Sequence, residues 1–136
     1  MSLLPEGARF HHVGYACRDL AADLAGLAEL GYVAAGEPFT DPVQGVTGLF
    51  CEGPGPRIEL LAPLAGSAVL DPWLRGPARM YHLAYELTDL AGALAAAVAA
   101  DARIVAEPVG AVAFGGRPIA FVMLRTRLLV ELIELA

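Results

Sequence analysis

The sequence predicts an α+β fold, two tandem βαβββ modules within one domain, and three observations lead to it. The chain repeats itself: His12, Tyr15, Asp19, Leu20 and Leu24 recur seventy positions later as His82, Tyr85, Asp89, Leu90 and Leu94. Each half holds one helix-period segment among stretches that alternate like strands. Finally, 136 residues, 57% hydrophobic and 18% charged, suit a single domain with a substantial core and exclude global disorder. The modules span about 8–64 and 78–136 of a domain that covers 1–136.

Residues 10–17 (FHHVGYAC) form the first expected strand, and Asp19 is placed to cap the helix behind it. In that helix Leu20, Leu24, Leu27 and Leu30 share one face, and Gly31 supplies the stop. Strands follow over 32–39, 45–52 and 57–62, separated by the turn formers of TDPVQG and GPGP. A short helix over 67–75, interrupted at Pro72, links the halves, and Trp73 packs beneath this linker. The order then begins again. A strand over 80–87 leads to a helix capped by Asp89 and ending at Ala100, with Leu90, Leu94 and Val98 on its packed face. Strands over 103–108, 117–124 and 128–135 close the second module.

Composition narrows the function. A net charge of −6 argues against nucleic acid, whose phosphates require clustered positive charge. The longest apolar run, LAGALAAAVAA, lies between Asp89 and Asp101 and falls well short of the roughly 20 residues that span a bilayer. No basic region leads into a hydrophobic one at the N-terminus, so no secretory signal is expected and the cytoplasm is the expected compartment. Cys17 and Cys51 have no zinc-type spacing and read as buried free thiols.

The repeat also assembles chemistry. At an offset of 72, IELLAPL (58–64) lies over VELIELA (130–136), which sets Glu59 over Glu131. Each half therefore contributes one histidine from its first strand and one glutamate from its last. Strand alternation turns Glu59 away from Ile58 and Leu60, and Glu131 away from Val130 and Leu132. A glutamate among aliphatic strand residues is costly to bury unless it is paired or bound to a metal. Two such glutamates with two duplicated histidines point to a shared site for one divalent ion, with His12, Glu59, His82 and Glu131 as ligands. Imidazole and carboxylate together suit zinc, nickel, cobalt, manganese or iron(II).

Other polar residues fall outside this set. His11 has Tyr81 as its counterpart and points away from His12, a supporting rather than ligating position. Tyr15 and Tyr85 lie on the face opposite the histidines and read as core, and Glu134 has the wrong parity for the site and reads as surface. VAFGGRPIAF (112–121) reads as a flexible loop entering a strand; Phe114, Gly115, Gly116 and Arg117 are placed to line a substrate mouth, Arg117 facing an anionic group.

HVGYACRDL, DPVQGV, IELLAPL, YHLAYELTDL, GGRPIAFV and LLVEL, taken in this order, resemble the vicinal oxygen chelate (glyoxalase/bleomycin resistance/dioxygenase) superfamily. The resemblance covers about 10–135, and within the superfamily the chain looks most like methylmalonyl-CoA epimerases. It implies two βαβββ modules forming a curved, mostly antiparallel sheet around a metal held by the residues matching His12, Glu59, His82 and Glu131, and commonly a homodimer. It also implies Gln44 as a residue lining the site. The implied activity is that of a metal-dependent isomerase acting through an enolate on an acyl-CoA or similar small oxygenated substrate. Glu131, with Glu59, is the proton-transferring group in this reading. A glyoxalase I-type lyase and a metal-free small-molecule-binding (resistance-type) protein are the alternatives within the same fold. An extradiol dioxygenase is disfavoured by Glu59 as a fourth ligand. The chain departs from the epimerase pattern at Gly48, where those proteins carry an acidic residue.

Overall fold

The computed structural model describes residues 2–135. Its elements in chain order are β1 (Arg9–Ala16), α1 (Leu20–Ala28), β2 (Val33–Ala34), β3 (Phe39–Asp41), β4 (Val46–Glu52), β5 (Ile58–Pro63), α2 (Asp71–Arg75), β6 (Met80–Leu87), α3 (Leu90–Ala99), β7 (Arg103–Gly110), β8 (Pro118–Met123) and β9 (Leu129–Glu134), with a 3-10 turn at Val112–Phe114. The fold is mixed α+β. It divides into a first unit, His12–Tyr81, and a second, formed by residues 2–11 and 82–135. No helix among the described residues is long and apolar enough to cross a membrane.

The two units repeat one topology. The first orders its strands β2-β4-β5-β1, with β3 also on β4, and the second orders them β6-β9-β8-β7. In each, the first strand runs parallel to the last, and the other pairs are antiparallel. Parallel pairing of β1 with β5 requires a crossover, and α1 supplies part of it, as α3 does between β6 and β9. Both helices start on an aspartate: Asp19 accepts from the Ala21 amide at 3.0 Å and Asp89 from the Gly92 amide at 2.9 Å.

Alternation along the strands sorts core from site. Ile58, Leu60 and Ala62 of β5 pack with Tyr15, Leu49 and Cys51 against Leu20, Leu24 and Leu27 of α1. Val130 and Leu132 of β9 do the same with Ala120, Val122 and Leu87 against Leu90, Ala93, Leu94 and Ala97 of α3. The intervening residues of each strand, Glu59 and Glu131 among them, face the other way.

Several expected elements come out differently. The strand expected over 32–39 is broken into β2 and β3, because Gly36 takes φ +89° and Pro38 has no amide to donate. Both pieces still pair with β4, and their counterpart β7 stays one strand with register shifts around Ala106. The irregularity is itself repeated, since Gly36-Glu37-Pro38 lies over Ala106-Glu107-Pro108. Tyr32 belongs to the core instead, its hydroxyl donating to the Pro56 carbonyl at 2.8 Å. Pro72 opens α2 rather than interrupting a longer helix, as suits a residue without an amide in a first turn. Leu30 and Val98 are exposed beyond the packed stripes of their helices. Glu134 is not a free surface residue: its carboxylate accepts the Leu90 amide at 3.1 Å, at the positive end of α3.

Candidate metal centre

In the first unit β1 and β5 pair with Gly14 opposite Glu59. His12 stands two residues before Gly14 and so shares the face of Glu59. Its Nε2 lies 3.0 Å from Glu59 Oε1. The second unit repeats this with Ala84 opposite Glu131, and His82 Nε2 lies 3.2 Å from Glu131 Oε1. The four residues are between 0% and 4% exposed, so both pairs are withdrawn from water. Such depth is costly for a carboxylate, and a neighbouring imidazole or a cation offsets the cost. The two histidines and two glutamates make up a donor set that could hold a metal ion.

Each pair also stands on an aromatic ring. His12 meets Phe50 edge-on at 5.3 Å and 78°, and His82 meets Phe121 at 5.2 Å and 78°. Register explains the match, since Phe50 lies opposite Glu59 and Phe121 opposite Glu131 in the antiparallel ladders. No motif or composition distinguishes these phenylalanines. The signal that finds them is the repeat at an offset of 71, between the 70 of the histidines and the 72 of the glutamates. Each step of one is one added residue in a connecting loop.

The remaining residues fall into two local arrangements. In the first unit the Gln44 side chain donates to Asp41 Oδ2 at 2.8 Å. Asp41 Oδ1 also accepts the amides of Val43 and Gln44, which makes DPVQG a tightly held turn around a buried carboxylate. In the second unit the stretch 112–117 is a hydrogen-bonded turn, with Gly116 donating to the Ala111 carbonyl and both Gly115 and Gly116 at positive φ. Phe114 is buried there and meets His11 edge-on at 5.4 Å, which gives His11 its supporting contact. Arg117 donates from Nε to the Phe114 carbonyl at 3.3 Å and from Nη1 to Glu86 Oε2 at 3.3 Å. Glu86 shares the His82 side of β6, four residues and about 13 Å along the strand. The charge of Arg117 is therefore already matched by a carboxylate.

Gly48 is closely covered. A Cβ at this position would stand 2.7 Å from Phe39 Cε2 and 3.0 Å from Leu61 Cδ2, so the ring of Phe39 occupies the space a side chain would need.

The chain is similar to known proteins in sequence and in fold. Residues 11–121 match the family model of the Glyoxalase/Bleomycin resistance protein/Dioxygenase superfamily. An ethylmalonyl-CoA/methylmalonyl-CoA epimerase of Cereibacter sphaeroides is 32% identical over 115 residues, covering 83% of this chain and 86% of that protein. Among solved structures, methylmalonyl-CoA epimerase from Mycobacterium tuberculosis superposes with a TM-score of 0.77 at 26% identity, over 93% of this chain and 87% of that one. A hypothetical protein from Bacillus halodurans reaches 0.81 at 22% identity, over 96% of both chains.

Proposed function

Because the chain belongs to the Glyoxalase/Bleomycin resistance protein/Dioxygenase superfamily, we propose that it is a divalent-metal-dependent enzyme, an epimerase-like isomerase working through an enolate-type intermediate on an acyl-CoA or similar small oxygenated substrate. The observation that carries this reading is the duplicated, buried His–Glu pair, set in the same strand register in both units. The epimerase relatives support the reaction type.

His12, Glu59, His82 and Glu131 would hold one ion together, two imidazoles and two carboxylates being a donor set that matches its charge. Bound there, a divalent ion supplies Lewis acidity toward neighbouring substrate oxygens. The chain's own residues do the rest. The carboxylate of Glu131 takes the proton from one face of the carbon beside the substrate carbonyl. Glu59, its repeat counterpart, delivers a proton to the opposite face, as inversion at one carbon requires, and the two exchange roles in the reverse direction. Burial of both glutamates excludes bulk water from the proton they carry. Gln44, Phe114, Gly115, Gly116 and Arg117 are assigned to substrate contact. The survival of both buried pairs favours this reading over a metal-free binding protein.

The test begins with metal analysis of protein purified without a histidine tag. About one divalent transition metal per chain is expected, with loss in His82→Ala and Glu131→Ala. Full retention by both variants overturns the ligand assignment. Metal-loaded protein is expected to exchange deuterium from heavy water into the α-carbon of methylmalonyl-CoA, and no exchange there or with its homologues rejects the isomerase reading.

A further inference from the structure

The metal-ligand face of the first unit carries two phenylalanines, Phe39 and Phe50, where the second has Val109 and Phe121. By strand parity this face receives His12, Gly14 and Ala16 from β1, Glu59 and Leu61 from β5, Val46, Gly48 and Phe50 from β4, and Phe39 from β3. Phe39 sits directly on Gly48, with its ring 5.9 Å from that of Phe50 and inclined by 30°. Phe50 in turn meets His12. Val46 and Leu61 are buried in a cluster with Ala16, Leu70 and Leu74 against which Phe39 packs, while Phe39 and Phe50 themselves stay partly exposed.

The repeat counterparts show that this is a local choice rather than a requirement of the fold. In the second unit the pair Val109–Ile119 replaces Phe39–Gly48 in the same register. There Ile119 and Phe121 are both buried, while Val109 is partly exposed as Phe39 is. The first unit fills this position with one large ring lying over a residue without a side chain. A ring held that way defines a surface that a ligand can lie against, and its removal opens space down to Gly48 and Leu61.

We propose that Phe39 and Phe50 form the subsite for the non-reacting alkyl arm of the substrate, and that Phe39, seated on Gly48, sets the size of arm admitted. The subsite rests on the proposed reaction for the placement of its ligand beside the metal. It takes a short, unbranched apolar group. Asp41 lies on the same side of β3, where its carboxylate accepts the Val43 and Gln44 amides and the Gln44 side chain.

The experiment uses metal-loaded wild type, Phe39→Ala and Phe39→Leu with 2-alkylmalonyl-CoA thioesters from methyl to butyl. The rate of α-deuterium exchange is read alongside calorimetric binding of the free methylmalonate and butylmalonate. Phe39→Ala is expected to raise the butyl-to-methyl ratio of kcat/KM about tenfold or more, chiefly through KM, and Phe39→Leu to raise it less, on the scale that one or a few methylenes command in an apolar pocket. The binding ratio of the two free acids should shift in the same direction. Parallel losses on every substrate with an unchanged ratio, in variants that still unfold cooperatively, overturn the subsite and leave Phe39 a packing residue. An absence of exchange by wild type, together with acid binding that still follows arm size in the variants, rejects the isomerase reading and sustains the subsite.

Discussion

Burial alone makes opposite demands on different side chains of this protein. Glu59 and Glu131 are carboxylates in a dry setting, and each has a histidine nitrogen within about hydrogen-bond distance to offset the loss of water. Cys17 meets a carboxylate instead: burial first, and then the negative charge and hydrogen bond of Asp23, push its thiol up to about 12, and burial also raises Cys51. Both thiols are therefore expected to resist a disulfide reagent in the native protein at pH 8 and to react on unfolding, which a timed thiol titration checks. The sign of the pH effect follows. The folded state holds the Cys17 proton more tightly than the unfolded chain, so this contribution to stability is complete below about 9 and is lost as pH rises toward about 12. The sequence marks both cysteines as buried, because an apolar, strand-like surrounding is a local signal. Asp23 beside Cys17 is not visible along the chain, because it depends on how α1 lies on the sheet.

At the scale of elements, the strongest local signals were the aspartates that open α1 and α3. Asp89 accepts the Gly92 amide, and Glu134 reaches the Leu90 amide from β9, so α3 has two carboxylates at its positive end. Asp89→Ala is expected to cost about 1 kcal/mol of stability, read as a lowered denaturation midpoint without a change in slope. Asp19 at the equivalent place has no counterpart to Glu134, since Ala62 stands there. Strand boundaries were less legible. The stretch 32–39 alternates well enough to read as one strand, yet Gly36 and Pro38 break it, whereas Ala106 and Pro108 bend β7 without ending it. One glycine makes the difference, because it admits a positive φ that alanine resists.

For the molecule as a whole, duplication governs both stability and chemistry. Two buried carboxylates of like charge are a liability without a cation, so metal removal is expected to destabilise the fold. A chelator should lower the unfolding temperature by several degrees, and one equivalent of a divalent transition metal should restore it; the same midpoint with and without metal would argue against a structural contribution from the site. The duplication also carries its own variation. Loop insertions of one residue shift the repeat from 70 to 71 to 72 along the chain, while the His–Glu–Phe arrangement is kept in register.

The sequence by itself determined the βαβββ repeat, the helix caps, the face on which each strand residue stands, and the identity of His12, Glu59, His82 and Glu131 as special. These depend on periods of two and 3.6 residues and on self-similarity, all of which are visible along one chain. The tertiary structure decided what fills the space around those residues: Phe50 and Phe121 against the histidines, Glu86 on Arg117, and Phe39 over Gly48. Each of these contacts depends on the register between strands or on the reach of a loop. A shift of one residue turns a side chain to the other face, so such contacts exist only once the strands have paired.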